Sequence, residues 1–257
     1  VGQNAKATVR PDGHPEAVAA AVCAFESMEG AVQTVITTIQ LGIPVARIEL
    51  LDEVMIDAVN RYSQLSYAVK PTILFEFHGT SQAAVSEHAA TVQELAAENG
   101  GSGFRWATTT EDRARLWQAR HNTLFASLAL RAGSKAWVTD VCVPISRLAE
   151  CILETRRDLQ ASTLVAPLVG HVGDGNFHLN IVIDPEDPRE LSEVRALNAR
   201  LVRRALAMGG TCTGEHGIGT GKIDYLADEH GAGVEVMKSI KRALDPDGRL
   251  NPGKMFR

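Results

Sequence analysis

The chain is short of several things, and each shortage narrows what it can be. Its four cysteines, Cys23, Cys142, Cys151 and Cys212, include no CxxC pair. That argues against a thiol-ligated metal and suits free thiols in a reducing compartment. No apolar run approaches the roughly 18 residues of a membrane-spanning helix. Basic clusters are missing as well: 26 Lys and Arg against 31 Asp and Glu leave a net charge of -5, so no nucleic-acid footprint is expected. There is no GxGxxG after a first strand and no P-loop. Neither an internal repeat nor a low-complexity linker is visible. The N-terminus, Val1-Gly2-Gln3-Asn4-Ala5-Lys6, has no initiator Met and no signal-peptide pattern. It reads as the cut end of something longer or as a tag remnant.

What is present suffices for one large domain or two small ones: 257 residues, 45% of them hydrophobic. Residues 17–25 form an apolar run that fits strand or helix by pattern alone. Ser27 caps a helix to about residue 41, and Gly42 stops it. Strands are expected over 44–50 and 72–78, where Phe75 and Phe77 alternate with Glu76 and His78. Helices are expected over 52–62 and 81–98, the second closed by Asn99-Gly100-Gly101. A strand over 104–108, one long helix over 110–130, a strand over 136–143 ended by Pro144, and a helix over 146–159 follow. Strands at 164–169 and 178–183 flank a glycine-rich turn. Asp187, Pro188 and Glu190 fill the N-cap, N1 and N3 positions of the next helix, which Gly209-Gly210 ends. A last helix covers 231–244. The strands are short and several connections look like hairpins. The expected fold is α+β, an antiparallel sheet with helices packed mainly on one face.

Two polar knots stand out against this background. The first, Gly170-His171-Val172-Gly173-Asp174-Gly175-Asn176-Phe177-His178-Leu179-Asn180, holds three glycines and two histidines. On a continuous strand His171 and His178 would face opposite sides. A reversal at Asp174-Gly175-Asn176 lets both imidazoles converge. His178 and Asn180 then share one strand face. The second knot is Gly214-Glu215-His216-Gly217-Ile218-Gly219, where glycines let the backbone approach a ligand closely. Two histidines and a distant carboxylate can make an open divalent-metal site, with His216 free to move a proton. The alternative is a polar hairpin whose histidines cap loop carbonyls, beside a flexible loop with an exposed acid-histidine pair. Arg120 lies on a helix close to Trp117 and either grips a carboxylate as a bidentate fork or is solvated. Asn251-Pro252-Gly253-Lys254 is a docking turn or a chain end.

The pieces 46–55 (Ala-Arg-Ile-Glu-Leu-Leu-Asp-Glu-Val-Met), Glu76-Phe77-His78-Gly79, 139–146, 170–178, 213–219 and 250–254 resemble the C-terminal region of FAD-linked D-2-hydroxyacid dehydrogenases of the vanillyl-alcohol-oxidase superfamily. The first and third look most like the cytochrome-type D-lactate dehydrogenase branch. Glycolate oxidase subunits and D-2-hydroxyglutarate dehydrogenases share the histidine motifs. The resemblance implies a ferredoxin-like substrate or cap domain over residues 11–257, with residues 1–10 the end of a missing FAD-binding domain or a linker. It implies that His171, His178 and Glu215 hold a divalent ion, Zn or Mn. By the same resemblance His216 is the base and Arg120 and Asn180 contact substrate, while Glu215, His216 and Asn251 face the flavin. Hydroxyglutarate-type enzymes carry a Lys where this chain has Val138, which favours a small substrate such as D-lactate. Electrons would pass to cytochrome c or a quinone. The chain alone would be inactive, and its location cytoplasmic or peripheral at the inner membrane. A non-catalytic metal-binding domain of the same fold is the alternative from another class.

Overall fold

The apolar run at 17–25 is a strand. In β1 (Ala17–Phe25) the side chains of Ala17, Ala19, Ala21, Cys23 and Phe25 enter one core, while Ala20 and Val22 enter another. Both faces are covered, so the polar alternation that marks a half-exposed strand is absent. The structure, a computed structural model, describes residues 15–256; the expected boundary segment 1–10 lies outside them.

The chain continues through α1 (Met28–Gln40), β2 (Val45–Leu51), α2 (Glu53–Ser63), β3 (Thr72–Gly79), α3 (Gln82–Glu98) and β4 (Gly101–Ala107). Then come α4 (Thr110–His121), α5 (Thr123–Ala129), β5 (Lys135–Val138), β6 (Val141–Cys142), α6 (Leu148–Gln160), β7 (Leu168–Gly170) and β8 (Asn176–Ile183). The last helices are α7 (Pro188–Ala207), α8 (Ile223–His230) and α9 (Gly233–Leu244). The strands form one antiparallel sheet in the order β4-β1-β3-β2-β7-β8-β5, with β6 also pairing β8. The fold is α+β, as the alternation of short strands and capped helices predicts.

The long helices α1, α3, α6 and α7 cover one face over Phe25, Ile48, Phe75, Phe77 and Phe177, all fully buried. The shorter α2, α4 and α5 cover part of the other face over Val22, Leu51, Met55, Leu74 and Trp117. Each large side chain so buried contributes roughly 1.5–3 kcal/mol. On β2 and β8 the inward residues of the first face are Ile48, Leu50, Phe177 and Leu179. Strand alternation therefore turns Glu49, His178 and Asn180 to the second face, and this is what places the site. No helix among the described residues is long and apolar enough to cross a membrane.

Side-chain caps set several helix starts. Ser27 Oγ accepts from Gly30 N at 3.1 Å, and Asp52 Oδ1 accepts from Met55 N at 2.8 Å. Ser27→Ala leaves that first-turn N–H without its side-chain partner. We expect it to lower stability by about 1 kcal/mol, read as a shifted urea midpoint at unchanged slope; an unshifted midpoint would mean water replaces the cap at no cost.

Four elements differ from the sequence expectation. The strand over 164–169 begins only at Leu168, with Val165 in an isolated bridge to Val182. The single helix over 110–130 is two, broken at Asn122, whose side chain makes no cap bond but reaches Ser63 Oγ at 2.8 Å. The strand over 136–143 is interrupted at Thr139 and Asp140, whose side chains turn to interior partners instead. Helix α8 occupies residues 223–230, where no element is expected from sequence.

Candidate active site

The turn between β7 and β8 is a single 3-10 turn over Val172–Asp174, reversed through Gly175 at φ +78°. A Cβ at Gly175 would stand 2.1 Å from Val143 O, so only glycine fits both the angle and the space. This reversal brings His171 and His178 to ring centroids 5.8 Å apart, edge to face. The second knot folds over them. Glu215 Oε1 lies 3.6 Å from His171 Nε2, 3.2 Å from His178 Nε2 and 3.4 Å from His216 Nε2. Ligand atoms of His171, His178 and Glu215 all lie within 4.8 Å of one another. His216 stacks on His178 at 5.1 Å.

Each of these two histidines is oriented from behind. His178 is buried and donates from Nδ1 to Thr139 O at 2.9 Å, which leaves the Nε2 lone pair facing the site. Burial pushes its pKa below the ordinary imidazole value, so the ring is neutral near pH 7. His171 Nδ1 meets Glu49 Oε1 at 2.6 Å. That bond raises the His171 pKa, opposed by burial and by Arg120. Glu49, 4% exposed at its side chain, also accepts from Arg120 Nε at 2.8 Å. A carboxylate or carbonyl behind each imidazole is the pattern that fixes metal-ligating tautomers. The donor set, two imidazole Nε2 atoms and one carboxylate, fits Zn or Mn.

The loop that carries Glu215 and His216 is held by Asp140. This fully buried carboxylate accepts from Lys222 Nζ, Asn176 Nδ2 and Thr213 Oγ1, each at 2.9 Å, and from His216 N at 3.0 Å and Glu215 N at 3.2 Å. Burial alone would raise its pKa. These donors outweigh that and hold the carboxyl well below the usual range. Gly214 lets the loop lie this close: a Cβ there would fall 1.8 Å from Asn176 Nδ2. Glu215 and His216 remain 47% exposed at their side chains, so the site opens outward. A cleft of about 350 Å³ bounded by Arg47, Glu49, Cys142, His171, Asn176 and Glu215 adjoins it.

Of the residues singled out from sequence, His171, His178, Glu215 and His216 therefore come together, and Arg120 joins them through Glu49 and His171. Asn180 shares the His178 face but donates to Ser127 Oγ at 3.2 Å, buried among α5. Asn251 is exposed in the C-terminal turn, at φ +48°, its carbonyl accepting from Lys254 N. Among the described residues no bond joins it to the site. Sequence alone does not assign these roles to Glu49, Asp140, Thr139 and Lys222. A charged residue inside an apolar strand, as at Glu49, is the signal that could have found the first.

The sequence matches the family described as FAD linked oxidases, C-terminal domain, over residues 14–255. It is 52% identical to the probable mitochondrial D-lactate dehydrogenase of Danio rerio over 98% of this chain and 50% of that protein. It is 43% identical to the mitochondrial D-lactate dehydrogenase [cytochrome] of Arabidopsis thaliana over 97% of this chain and 44% of that protein. The chain thus spans about half the length of these relatives. Among solved structures, 4-ethylphenol oxidase from Gulosibacter chungangensis superposes with a TM-score of 0.70 at 16% identity, over 94% of this chain and 54% of that one. That likeness speaks for the fold alone.

Proposed function

We propose, for a chain that belongs to the FAD linked oxidases, C-terminal domain family, that it forms the substrate-binding part of a flavoprotein oxidising D-lactate, or a similar small D-2-hydroxy acid, to the 2-oxo acid. One observation carries this: His171 Nε2, His178 Nε2 and Glu215 Oε1 converge beside an accessible imidazole, His216. The relatives' names give the substrate.

In this reading FAD, when bound, supplies the hydride acceptor. His171, His178 and Glu215 would hold a Zn or Mn ion, which would supply Lewis-acid polarisation to the substrate hydroxyl. The chain's own residues do the rest. His216 accepts the hydroxyl proton at Nε2, the nitrogen on the Glu215 side. Glu49 keeps His171 in the Nδ1–H tautomer, and Thr139 O does the same for His178. In this reading Arg120 orients the substrate carboxylate, and Asn180, on the His178 face of β8, is assigned a substrate contact. Glu215 and His216, half-exposed, and the Asn251 turn fit a redox group presented from outside this chain's described residues. Val138 supports a monocarboxylate substrate: it pairs directly with Asn180 and is 37% exposed, an apolar side chain where a second carboxylate would need a charge.

Electrons would pass on to cytochrome c or a quinone; the bracketed word in the Arabidopsis name, cytochrome, supports the first kind of acceptor. The relatives' names carry a mitochondrial location, which supports a mitochondrial placement over a cytoplasmic one.

The test is substrate-dependent reduction of cytochrome c or a quinone analogue by the full-length protein. D-lactate should be oxidised, L-lactate and D-2-hydroxyglutarate at least about tenfold less efficiently. Equal rates with the two lactates, or no turnover of D-lactate, would overturn the reading.

A further inference from the structure

Each of the three guanidinium nitrogens of Arg120 has a partner. Its Nε bonds Glu49 Oε2 at 2.8 Å, one terminal nitrogen reaches Thr123 Oγ1 at 3.5 Å, and the other meets His171 Nε2 at 3.1 Å. A guanidinium stays charged and only donates. The last contact therefore needs a lone pair on His171 Nε2. Glu49, accepting at Nδ1, selects that same tautomer. The lone pair that Arg120 uses is the one a metal ion would use, and it points in one direction only.

Resting on the ligand assignment of the preceding subsection, we infer that Arg120 and a divalent cation compete for His171 Nε2, so that an arriving ion frees an Arg120 nitrogen for the carboxylate of a 2-hydroxy acid. The geometry makes the exchange local. Arg120 is 19% exposed at its side chain and anchored to a nearly buried Glu49, so its guanidinium has little room to swing away. An ion about 2.0–2.1 Å from Nε2 along that lone pair would overlap the Arg120 nitrogen now 3.1 Å away, so that nitrogen turns aside, pivoting about the Nε bond to Glu49, while the guanidinium as a whole stays beside the Glu215 carboxylate. Ion and carboxylate then favour each other's binding. By linkage, the factor by which the ion tightens the acid equals the factor by which the acid tightens the ion. The ordinary assignment of Arg120 as a carboxylate contact contains no such term. It predicts that Arg120 affects the acid and is indifferent to, or merely repels, the metal.

The experiment is a Mn(II) titration of the purified protein, with free Mn(II) read by its electron paramagnetic resonance signal. Wild type, Arg120→Met and Arg120→Lys are compared with and without saturating pyruvate, which carries the product's carboxylate and is not oxidised. Competition predicts that both variants bind Mn(II) about tenfold or more tighter than wild type without pyruvate. It also predicts that pyruvate tightens Mn(II) severalfold in wild type and far less in the variants. Arg120→Lys separates the causes, because it keeps the charge while losing the fork. If Lys behaves like Arg and only Met binds tighter, charge repulsion explains the effect and competition is overturned. Equal Mn(II) affinity in all three proteins overturns it as well. His178→Ala, which leaves the bonds of Arg120 in place, serves as the control for the ligand set. Wild-type Mn(II) binding in that variant would show that the ligand assignment itself has failed, whatever Arg120 does.

Discussion

Replacing His216 with Asn is expected to slow D-lactate oxidation by the full-length protein about 10²–10⁴-fold, the usual cost of losing a general base. Bound metal should stay at the wild-type level. Imidazole is the side chain whose unperturbed protonation change lies near neutral pH, and this one is 47% exposed beside the convergent ligand atoms. Its main chain does not depend on the ring: His216 N donates to Asp140 Oδ2 at 3.0 Å whatever the side chain. Asn preserves polarity and approximate size but cannot accept the proton. Metal analysis beside single-turnover kinetics separates the outcomes. If the variant loses its metal, His216 is a ligand, a role open to it because Asp140, His178 and His216 also place ligand atoms within 4.8 Å of one another. A normal rate would move the base elsewhere, to His121 or His78.

The second large effect is expected at Asp140. Asp140→Ala should cost about 3–5 kcal/mol of stability, the range for breaking a buried ion pair by removing one partner. Lys222, 17% exposed, loses its carboxylate, and the N–H groups of Glu215 and His216 lose their acceptor together. The metal content should fall with the loop. The pH dependence follows in sign. The folded pKa of Asp140 is depressed, so its stabilisation is complete above the unfolded value of about 3.9 and fades as pH falls from there toward the folded value. Urea unfolding at pH 7 should separate wild type from variant by the full amount, and the gap should narrow below about pH 4. A difference under about 1 kcal/mol at pH 7 would mean that other contacts hold the loop.

The parts of the fold legible in the sequence are those written in local chemistry. Ser27, Asp52, Ser81 and Asp187 each accept a first-turn N–H, and each marks its helix start. The break at Asn122 was illegible because apolar residues continue at helical spacing across it and no side-chain cap signals the restart. Thr139 and Asp140 read as strand from sequence because their neighbours Val138, Val141 and Val143 are β-branched. What ends the strand is distant: Leu179 N donates to Thr139 Oγ1, and Asp140 gathers donors from residues 176, 213, 215, 216 and 222. In the site, the turn chemistry of Asp174-Gly175-Asn176 announced that two histidines would meet. Nothing local announced that Glu49 would stand behind His171, since that pairing is made only by the neighbourhood of β2 and β7 in the sheet.

That neighbourhood has a consequence for how the chain is born. Glu49 and His171 are 122 residues apart, so at a synthesis rate of about 5–20 residues per second Glu49 waits roughly 6–24 s for its partner. Meanwhile β4, β1, β3 and β2 can already pair, leaving β2 as a bare outer strand until β7 arrives. Charged side chains on an exposed edge discourage another chain from adding to it. Arg47 and Glu49, both on β2, supply that protection on the ribosome, before either has any chemistry to take part in.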